Sequence, residues 1–214
     1  MAIVLRLLED VLTAGEIAAA TSALPRAIYV AAGSAKVDGR ELAHDGGMVA
    51  LQTFSVEAGP EGACLWRFEV AHTDADIQEL GSVARLKLQA DIFADDVTET
   101  HLLRLDSVAF PPGGCAYLHT HQGPGIRCLL DGRIRIDAEG HSMSFGPGAP
   151  WFEAGPDPVF AQADNEKPTR FIRASVLPKA LLGQSSIRYV NAEDQDKPKS
   201  QSYQGYGERL LSDA

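Results

Sequence analysis

The chain has 214 residues, of which 45% are hydrophobic and 22% charged, and its formal net charge is -10 with a pI of about 5.0. This balance is typical of a soluble globular protein and excludes the fibrous and disordered classes. Because phosphate binding requires clustered Lys and Arg, the acidic composition also argues against nucleic acid as a partner.

The sequence carries no feature of a secreted or membrane-bound protein. Its first residues, MAIVLRLLEDVLTAGEI, lack the basic segment and the A-x-A cleavage site of a signal peptide. No apolar stretch approaches the roughly 20 residues that span a bilayer. The three cysteines, Cys64, Cys115 and Cys128, are odd in number and widely spaced, which predicts free thiols in a reducing compartment. We therefore expect a cytoplasmic protein that contacts no membrane.

A short N-terminal helix is predicted from Thr13 to about Leu24. Thr13 and Glu16 have the spacing of a capping box, in which each side chain satisfies a free backbone N–H at the start of a helix. The alanines that follow favour the helix, and Pro25 ends it. We expect this helix to pack on the surface of a β-domain.

After Pro25 the chain is predicted to be all-β. Short runs of β-branched or alternating apolar residues are separated by Gly, Pro, Asp or Asn, which is typical of a sandwich or barrel. Residues 133–137 alternate most clearly, with one apolar and one charged face. The runs cover 27–31, 35–38, 49–54, 64–70, 86–93, 101–110, 126–130, 133–137 and 170–176.

An internal repeat indicates a duplicated domain. Residues 27–61 and 126–157 share a glycine before a turn, an apolar residue followed by Asp, a second glycine and the tetrapeptide Glu-Ala-Gly-Pro. A period near a hundred residues is typical of two domains rather than a solenoid. We expect a degenerate N-terminal repeat at 1–98, a second repeat at 99–180 and a polar C-terminal extension at 181–214. The matching positions are Gly33 with Gly132, Val37-Asp38 with Ile136-Asp137, Gly46 with Gly146, and 57–60 with 153–156.

The second repeat contains two histidines one residue apart, His119 and His121. Residues i and i+2 of a strand point to the same side, so the two imidazoles can converge on one ion inside a barrel. Neutral imidazole is a common ligand of Fe, Mn, Ni and Zn. The pair therefore predicts a site for one divalent metal ion.

The segment around the histidines resembles the first motif of the cupin (RmlC-like) superfamily. That motif is Gly, five residues, His-x-His, three or four residues, Glu, six residues and Gly. Gly113, His119, His121 and Gly132 match it, whereas Gly125 stands where the glutamate ligand is expected. The first metal ligand set of the family is therefore incomplete here.

The second cupin motif is followed only in outline. Gly146, Ala154 and Gly155 match its frame, Pro158 stands where the third histidine is expected, and Glu153 takes the position of the motif's proline. The resemblance covers about residues 100–178 and reaches 27–71 only through the internal repeat. It implies double-stranded β-helix (jelly-roll) barrels, duplicated as in a bicupin, and a homodimer.

Three interpretations of the metal site stay open. Glu153 can complete a set of two histidines and one carboxylate, Gln122 or a water can complete a weaker site, or the histidines can line a pocket without metal. One observation argues against Glu153 as a ligand. Glu57 occupies the same place in the Glu-Ala-Gly-Pro segment of the N-terminal repeat, which has no histidine pair.

Gln122 and Arg127 are the candidate catalytic residues. Arg127 can hold a substrate carboxylate with two parallel hydrogen bonds. Its alternative role is a hairpin salt bridge with Asp137 or Glu139. The resemblance implies a metal-dependent enzyme acting on a small organic molecule, of the dioxygenase, isomerase or lyase type. The alternative is a non-catalytic cupin that binds or senses a small molecule.

Overall fold

The computed structural model describes residues 2–93 and 97–213, and its regular structure is almost entirely antiparallel β. Three 3₁₀ turns, Lys179–Leu181, Ala192–Asp194 and Leu211–Asp213, are the helical elements of these residues. None of the helices in these ranges is long and apolar enough to cross a membrane. In chain order the strands are β1 (Ile3–Leu12), β2 (Ile17–Ala20), β3 (Arg26–Val37), β4 (Arg40–Leu42), β5 (Gly47–Ala50), β6 (Phe54–His72), β7 (Val83–Phe93), β8 (His101–Phe110), β9 (Cys115–His121), β10 (Gly125–Asp131), β11 (Ile134–Ala138), β12 (His141–Phe145), β13 (Pro150–Glu153), β14 (Val159–Ala163), β15 (Thr169–Pro178), β16 (Ile187–Tyr189) and β17 (Ser202–Leu210).

The chain divides into two compact units. The N-terminal unit contains the residues up to Leu105 and those from Tyr206 onward, and the C-terminal unit is Asp106–Gly205. The residues after 180 therefore take part in both units, where they supply β16 and β17. None of the three cysteines forms a disulfide, as predicted, and Cys128 alone among them is fully buried.

The predicted N-terminal helix is wrong, because its segment forms a turn followed by strand β2. Glu16 accepts hydrogen bonds from the backbone N and the hydroxyl of Thr13, at 2.7 and 2.9 Å, as in a capping box. These bonds close a turn, in which Glu16 N–H donates to Thr13 O at 3.0 Å. β2 then pairs with residues Phe54 to Glu57 of β6. Sheet pairing thus outweighs the helix propensity of the alanines.

The N-terminal unit is one sheet that bends around its own core. Its strand order is β4-β3-β6-β1-β7, with β2 on β6 and β5 on β3. The register of β3 against β6 shifts near Gly33, which has a φ of 72°. A Cβ atom there would lie 2.1 Å from the carbonyl oxygen of Gly62, so only glycine fits this bend. The bend lets the apolar faces of β3 and β6 enclose Ile28, Val30 and Leu65.

The C-terminal unit is a two-sheet sandwich with the candidate site in its interior. One sheet has the order β12-β11-β14-β9-β16, and the other places β13, β10, β15, β8 and β17 side by side. Alternate residues of the strands point inward, as Ile134 and Ile136 of β11 do. Trp151 and Phe171 fill the centre, with ring centroids 5.1 Å apart.

The strand pairing shows which positions of the two units are structurally equivalent, and the shared Glu-Ala-Gly-Pro segments are not among them. Arg26 lies opposite Ala50 in the first unit as Gly125 lies opposite Glu153 in the second, which makes β5 the counterpart of β13. The same offset aligns the positive-φ residues Gly33 and Gly132. Glu153 therefore corresponds to Ala50 and not to Glu57, so the two Glu-Ala-Gly-Pro segments are not structural equivalents.

Candidate functional site

The two histidines of β9 meet inside the C-terminal unit, as their i, i+2 spacing predicts. His119 is 4% exposed and His121 is 8% exposed, and their Nε2 atoms are 3.2 Å apart. The rings are nearly perpendicular, with an interplanar angle of 87°. Both imidazoles therefore present their outer nitrogen to one point of the interior.

Both histidines are neutral at physiological pH. Burial lowers the pKa of His119, and it lowers the pKa of His121 to about 3 although Glu153 opposes it. Nδ1 of His119 lies 2.6 Å from the carbonyl oxygen of Tyr117, to which it must donate a proton. That bond leaves Nε2 of His119 with a free lone pair, which is the form that binds a metal ion.

Glu153 brings a carboxylate to the same point. Its Oε2 lies 3.2 Å from Nε2 of His121 and 2.8 Å from Nη2 of Arg127, and its Oε1 accepts the indole N–H of Trp151 at 2.8 Å. Burial alone would raise the pKa of Glu153. The charge of Arg127 and the bonds from His121 and Trp151 outweigh burial and hold this pKa well below its usual range.

Gly125 explains why the carboxylate comes from β13. A Cβ atom at this position would lie 2.8 Å from Ala174 O and from Ser175 Oγ, and 3.1 Å from Nη1 of Arg127. The glutamate expected there by the family motif has no room. Glu153 is the residue directly opposite Gly125 on the neighbouring strand. A carboxylate therefore reaches the histidines from the adjacent strand.

Arg127 does not form the alternative hairpin salt bridge. Asp137 pairs instead with Arg135, at 3.0 Å. Arg127 is 1% exposed, donates to the Gly125 carbonyl at 2.6 Å and pairs with Glu153. Burial lowers the pKa of Arg127 to about 10, which leaves the guanidinium charged at neutral pH.

A second buried ion pair, which the sequence analysis did not predict, borders the site. Arg173 of β15 donates to both carboxylate oxygens of Asp106, at 2.9 and 2.7 Å. The N-terminal unit holds a similar pair, in which Arg67 donates to both oxygens of Asp10. An arginine inside an apolar strand, as in RFIRASV and CLWRFEV, was the available signal in the sequence.

The histidines, Glu153 and Arg127 face a small internal cavity of about 20 Å³. This is room for about one water molecule. Gln122 is not among the lining side chains of the described residues, and its backbone N–H donates to Ser186 O. Beyond the site residues, the lining consists of Val108, Phe110, Ala116, Ile136, Val159, Ala161, Phe171, Arg173, Ile187, Gln201 and Tyr203.

The donor set fits a divalent metal ion in chemistry and spacing. Two nitrogens bound to one ion at about 2.1 Å lie roughly 3.0–3.4 Å apart, which includes the distance found between His119 and His121. Both imidazoles are neutral and Glu153 is ionised, as ligands require. The proton that His121 Nε2 shares with Glu153 would have to move to Nδ1 when an ion binds. Within residues 2–93 and 97–213, however, no group of three His, Cys, Asp or Glu side chains is already arranged around one metal position. A third ligand bond requires Glu153 Oε2 to be shared between Arg127 and the ion.

Comparisons with known proteins establish the fold. No family model and no curated protein matches the sequence. A solved structure of oxalate decarboxylase from Bacillus subtilis superimposes with a TM-score of 0.64 and 13% identity, covering 91% of this chain and 73% of that one. A second structure of that enzyme, described for its Mn(II) centres, gives a TM-score of 0.63 at 12% identity over the same shares. AerE from Microcystis aeruginosa gives 0.57 at 12% identity, covering 83% of this chain and 88% of that one. The chain therefore has the jelly-roll fold of the cupins, as predicted.

Proposed function

We propose that this chain is a metal-dependent cupin enzyme that acts on a small organic molecule, with His119, His121 and Glu153 as the ligands of one divalent ion. The observation that carries the proposal is the meeting of three buried groups, two neutral imidazoles and one carboxylate, at successive distances of 3.2 Å. Two histidines and a carboxylate leave coordination positions open for a substrate. The Mn(II) centres of a structural neighbour support manganese as one candidate ion, beside Fe, Ni and Zn.

The surrounding side chains have defined tasks in this proposal. Arg127 and Trp151 each hold one oxygen of Glu153 and so fix the orientation of its carboxylate. The apolar walls exclude bulk water and strengthen the electrostatic interactions inside the cavity. A bound ion would supply Lewis acidity and open positions at this point. Arg127 keeps a positive charge beside the cavity for an anionic group of the substrate.

Metal analysis of the protein purified without a histidine tag tests the proposal. We expect about one divalent ion per chain after reconstitution, and loss of that ion in His119→Ala. The matched control is His141→Ala, because His141 is exposed on β12. Equal metal contents in the wild type and His119→Ala would contradict the assignment.

The second candidate function is a metal-free cupin that binds a small molecule. The observation that favours it is the ion pair between Arg127 and Glu153, which already neutralises the one carboxylate of the site. In that case the guanidinium supplies the positive charge that an ion supplies in a metal-dependent cupin. A wild-type protein that stays free of metal after reconstitution, yet is stabilised by a small ligand, would favour this second function.

We also propose a homodimer formed through β7. This strand ends its sheet, and its apolar side chains Val83 and Leu86 are 54% and 44% exposed. Antiparallel pairing of two copies about a two-fold axis at Leu88 would place Arg85 of one copy opposite Asp91 of the other. Light scattering is expected to give the mass of two chains, and of one chain for Leu86→Lys. A wild-type monomer would contradict this interface.

A further inference from the structure

The end of the C-terminal unit brings an unsatisfied hydrogen-bond acceptor to the cavity. Gln201 is 8% exposed, and its Nε2 donates to the hydroxyl oxygens of Tyr189 and Tyr203, at 3.3 Å each. Its Oε1 is buried and has no hydrogen-bond partner among the residues that the structure describes. A buried carbonyl oxygen without a donor costs free energy, so this atom calls for an explanation.

The residue that carries this acceptor lines the cavity of the candidate site. Gln201 and Tyr203 line that cavity together with His119 and His121. Tyr189 lies opposite His119 in the pairing of β16 with β9, and the centroids of the two rings are 6.4 Å apart. The amide and the two phenols therefore form a neutral polar group in the same unit as the histidines.

The hydrogen bonds of the amide determine which atom is left for a ligand. Nε2 has two hydrogens, and the two tyrosine hydroxyl oxygens accept both of them. This arrangement leaves Oε1 as the free atom of Gln201. A carboxylate or a carbonyl group has no hydrogen to offer to Oε1, whereas a hydroxyl or N–H group has one.

We infer that Gln201 is a specificity residue, whose Oε1 accepts a hydrogen bond from a hydroxyl group of the bound molecule. The inference rests on the proposed function in one respect only, which is that the bound molecule occupies the same cavity. A site built to bond a hydroxyl group rejects analogues that lack it, because its own polar group is then left unpaired. The substrate class is thus narrowed to small molecules that carry a hydroxyl group as well as the group that faces the histidines.

A pair of one-carbon probes, methanol and fluoromethane, tests the inference, because the cavity of about 20 Å³ admits only very small molecules. The dissociation constants of both are measured by NMR titration, with the side-chain amide signals of Gln201 as the reporter. We expect methanol to bind at least about tenfold tighter than fluoromethane and to shift those signals. In Gln201→Leu the two probes are expected to bind within about twofold of each other. Gln201→Glu retains an acceptor and is expected to retain a preference for methanol.

Controls separate this inference from folding and from the metal proposal. Gln204→Leu is the matched control, because Gln204 is an exposed glutamine on β17. It is expected to keep the wild-type preference. Metal content is measured on the same samples and is expected to be unchanged in Gln201→Leu. If the protein binds no metal while the preference for methanol still depends on Gln201, the proposed function fails and the inference stands.

Three outcomes would overturn the inference. These are wild-type protein that binds the two probes equally, wild-type protein in which methanol leaves the side-chain amide signals of Gln201 unchanged, and a preference for methanol that survives in Gln201→Leu. Each of them would mean that Oε1 of Gln201 makes no hydrogen bond to a bound hydroxyl group.

Discussion

Replacing Glu69 with glutamine is expected to lower the free energy of unfolding by about 3–5 kcal/mol. The Glu69 carboxylate is fully buried in the N-terminal unit, where it bonds three arginines. Arg6 Nε donates to one oxygen at 2.8 Å, Arg26 Nε donates to the other at 2.6 Å, and Arg67 also pairs with it. Glutamine would leave these three buried cations facing Asp10 as the remaining carboxylate of the network.

The arginines cannot move readily to compensate for the lost charge of Glu69, because other hydrogen bonds hold them in place. Arg6 donates its terminal nitrogens to the backbone carbonyls of Ala75 and Asp76, and Arg67 donates to that of Gln78. The guanidinium groups are thus fixed by the segment that follows β6. Burial would raise the pKa of Glu69, but the three arginines hold it below its ordinary value. The carboxylate is therefore ionised at neutral pH, and its negative charge balances the charges of the buried arginines.

Urea unfolding at neutral pH measures this effect. Glu57→Gln is the matched control, because Glu57 is an exposed glutamate on the same strand, β6. Its free energy of unfolding is expected to stay within about 0.5 kcal/mol of the wild type. A loss of less than about 1 kcal/mol in Glu69→Gln would mean that the network is not formed as described.

Replacing Glu153 with glutamine is expected to weaken metal binding by about 100-fold or more. The variant loses the charge of the third ligand. It also leaves the guanidinium of Arg127, which is 1% exposed, without its counter-ion. The metal-free protein is therefore expected to lose about 3–5 kcal/mol of stability as well. Titration calorimetry with the metal and urea unfolding measure the two effects.

A double variant separates the two roles of Glu153. In Arg127→Gln with Glu153→Gln both charges are absent, so the stability loss is expected to be smaller than the sum of the single losses. Metal binding should stay weak in the double variant because the ligand charge is still missing. Glu139→Gln, at an exposed glutamate of the same unit, serves as the control. Unchanged metal affinity in Glu153→Gln would exclude Glu153 as a ligand.

The sequence was sufficient for the features that depend on local pattern. Alternation predicted the β-class, and the i, i+2 spacing of His119 and His121 predicted their common face. The helix at Thr13 was predicted wrongly because the bond between Thr13 and Glu16 suits a turn between strands as well as a helix start. Which of the two forms depends on the pairing of β2 with β6, about 40 residues away in the chain, and no local signal carries it.

The features that were missed all depend on contacts distant in sequence. Asp106 and Arg173 are 67 positions apart, and Arg6 and Glu69 are 63 apart. Gln201 is brought to the cavity by a segment expected to be a polar extension. The shared tetrapeptide was misleading for the same reason, since strand register assigns Glu153 to a different structural position from Glu57. The two Glu-Ala-Gly-Pro segments are therefore alike in sequence but occupy different positions in the fold.

The most direct test of the proposed metal site is a crystal structure of the protein soaked in manganese(II), with the anomalous signal of the metal recorded. An anomalous peak is expected at about 2.1–2.3 Å from Nε2 of both His119 and His121, with an oxygen of Glu153 as the third protein ligand. No such peak is expected in crystals of His119→Ala. A wild-type map without a peak at the histidines, with Glu153 still paired to Arg127 alone, would contradict it.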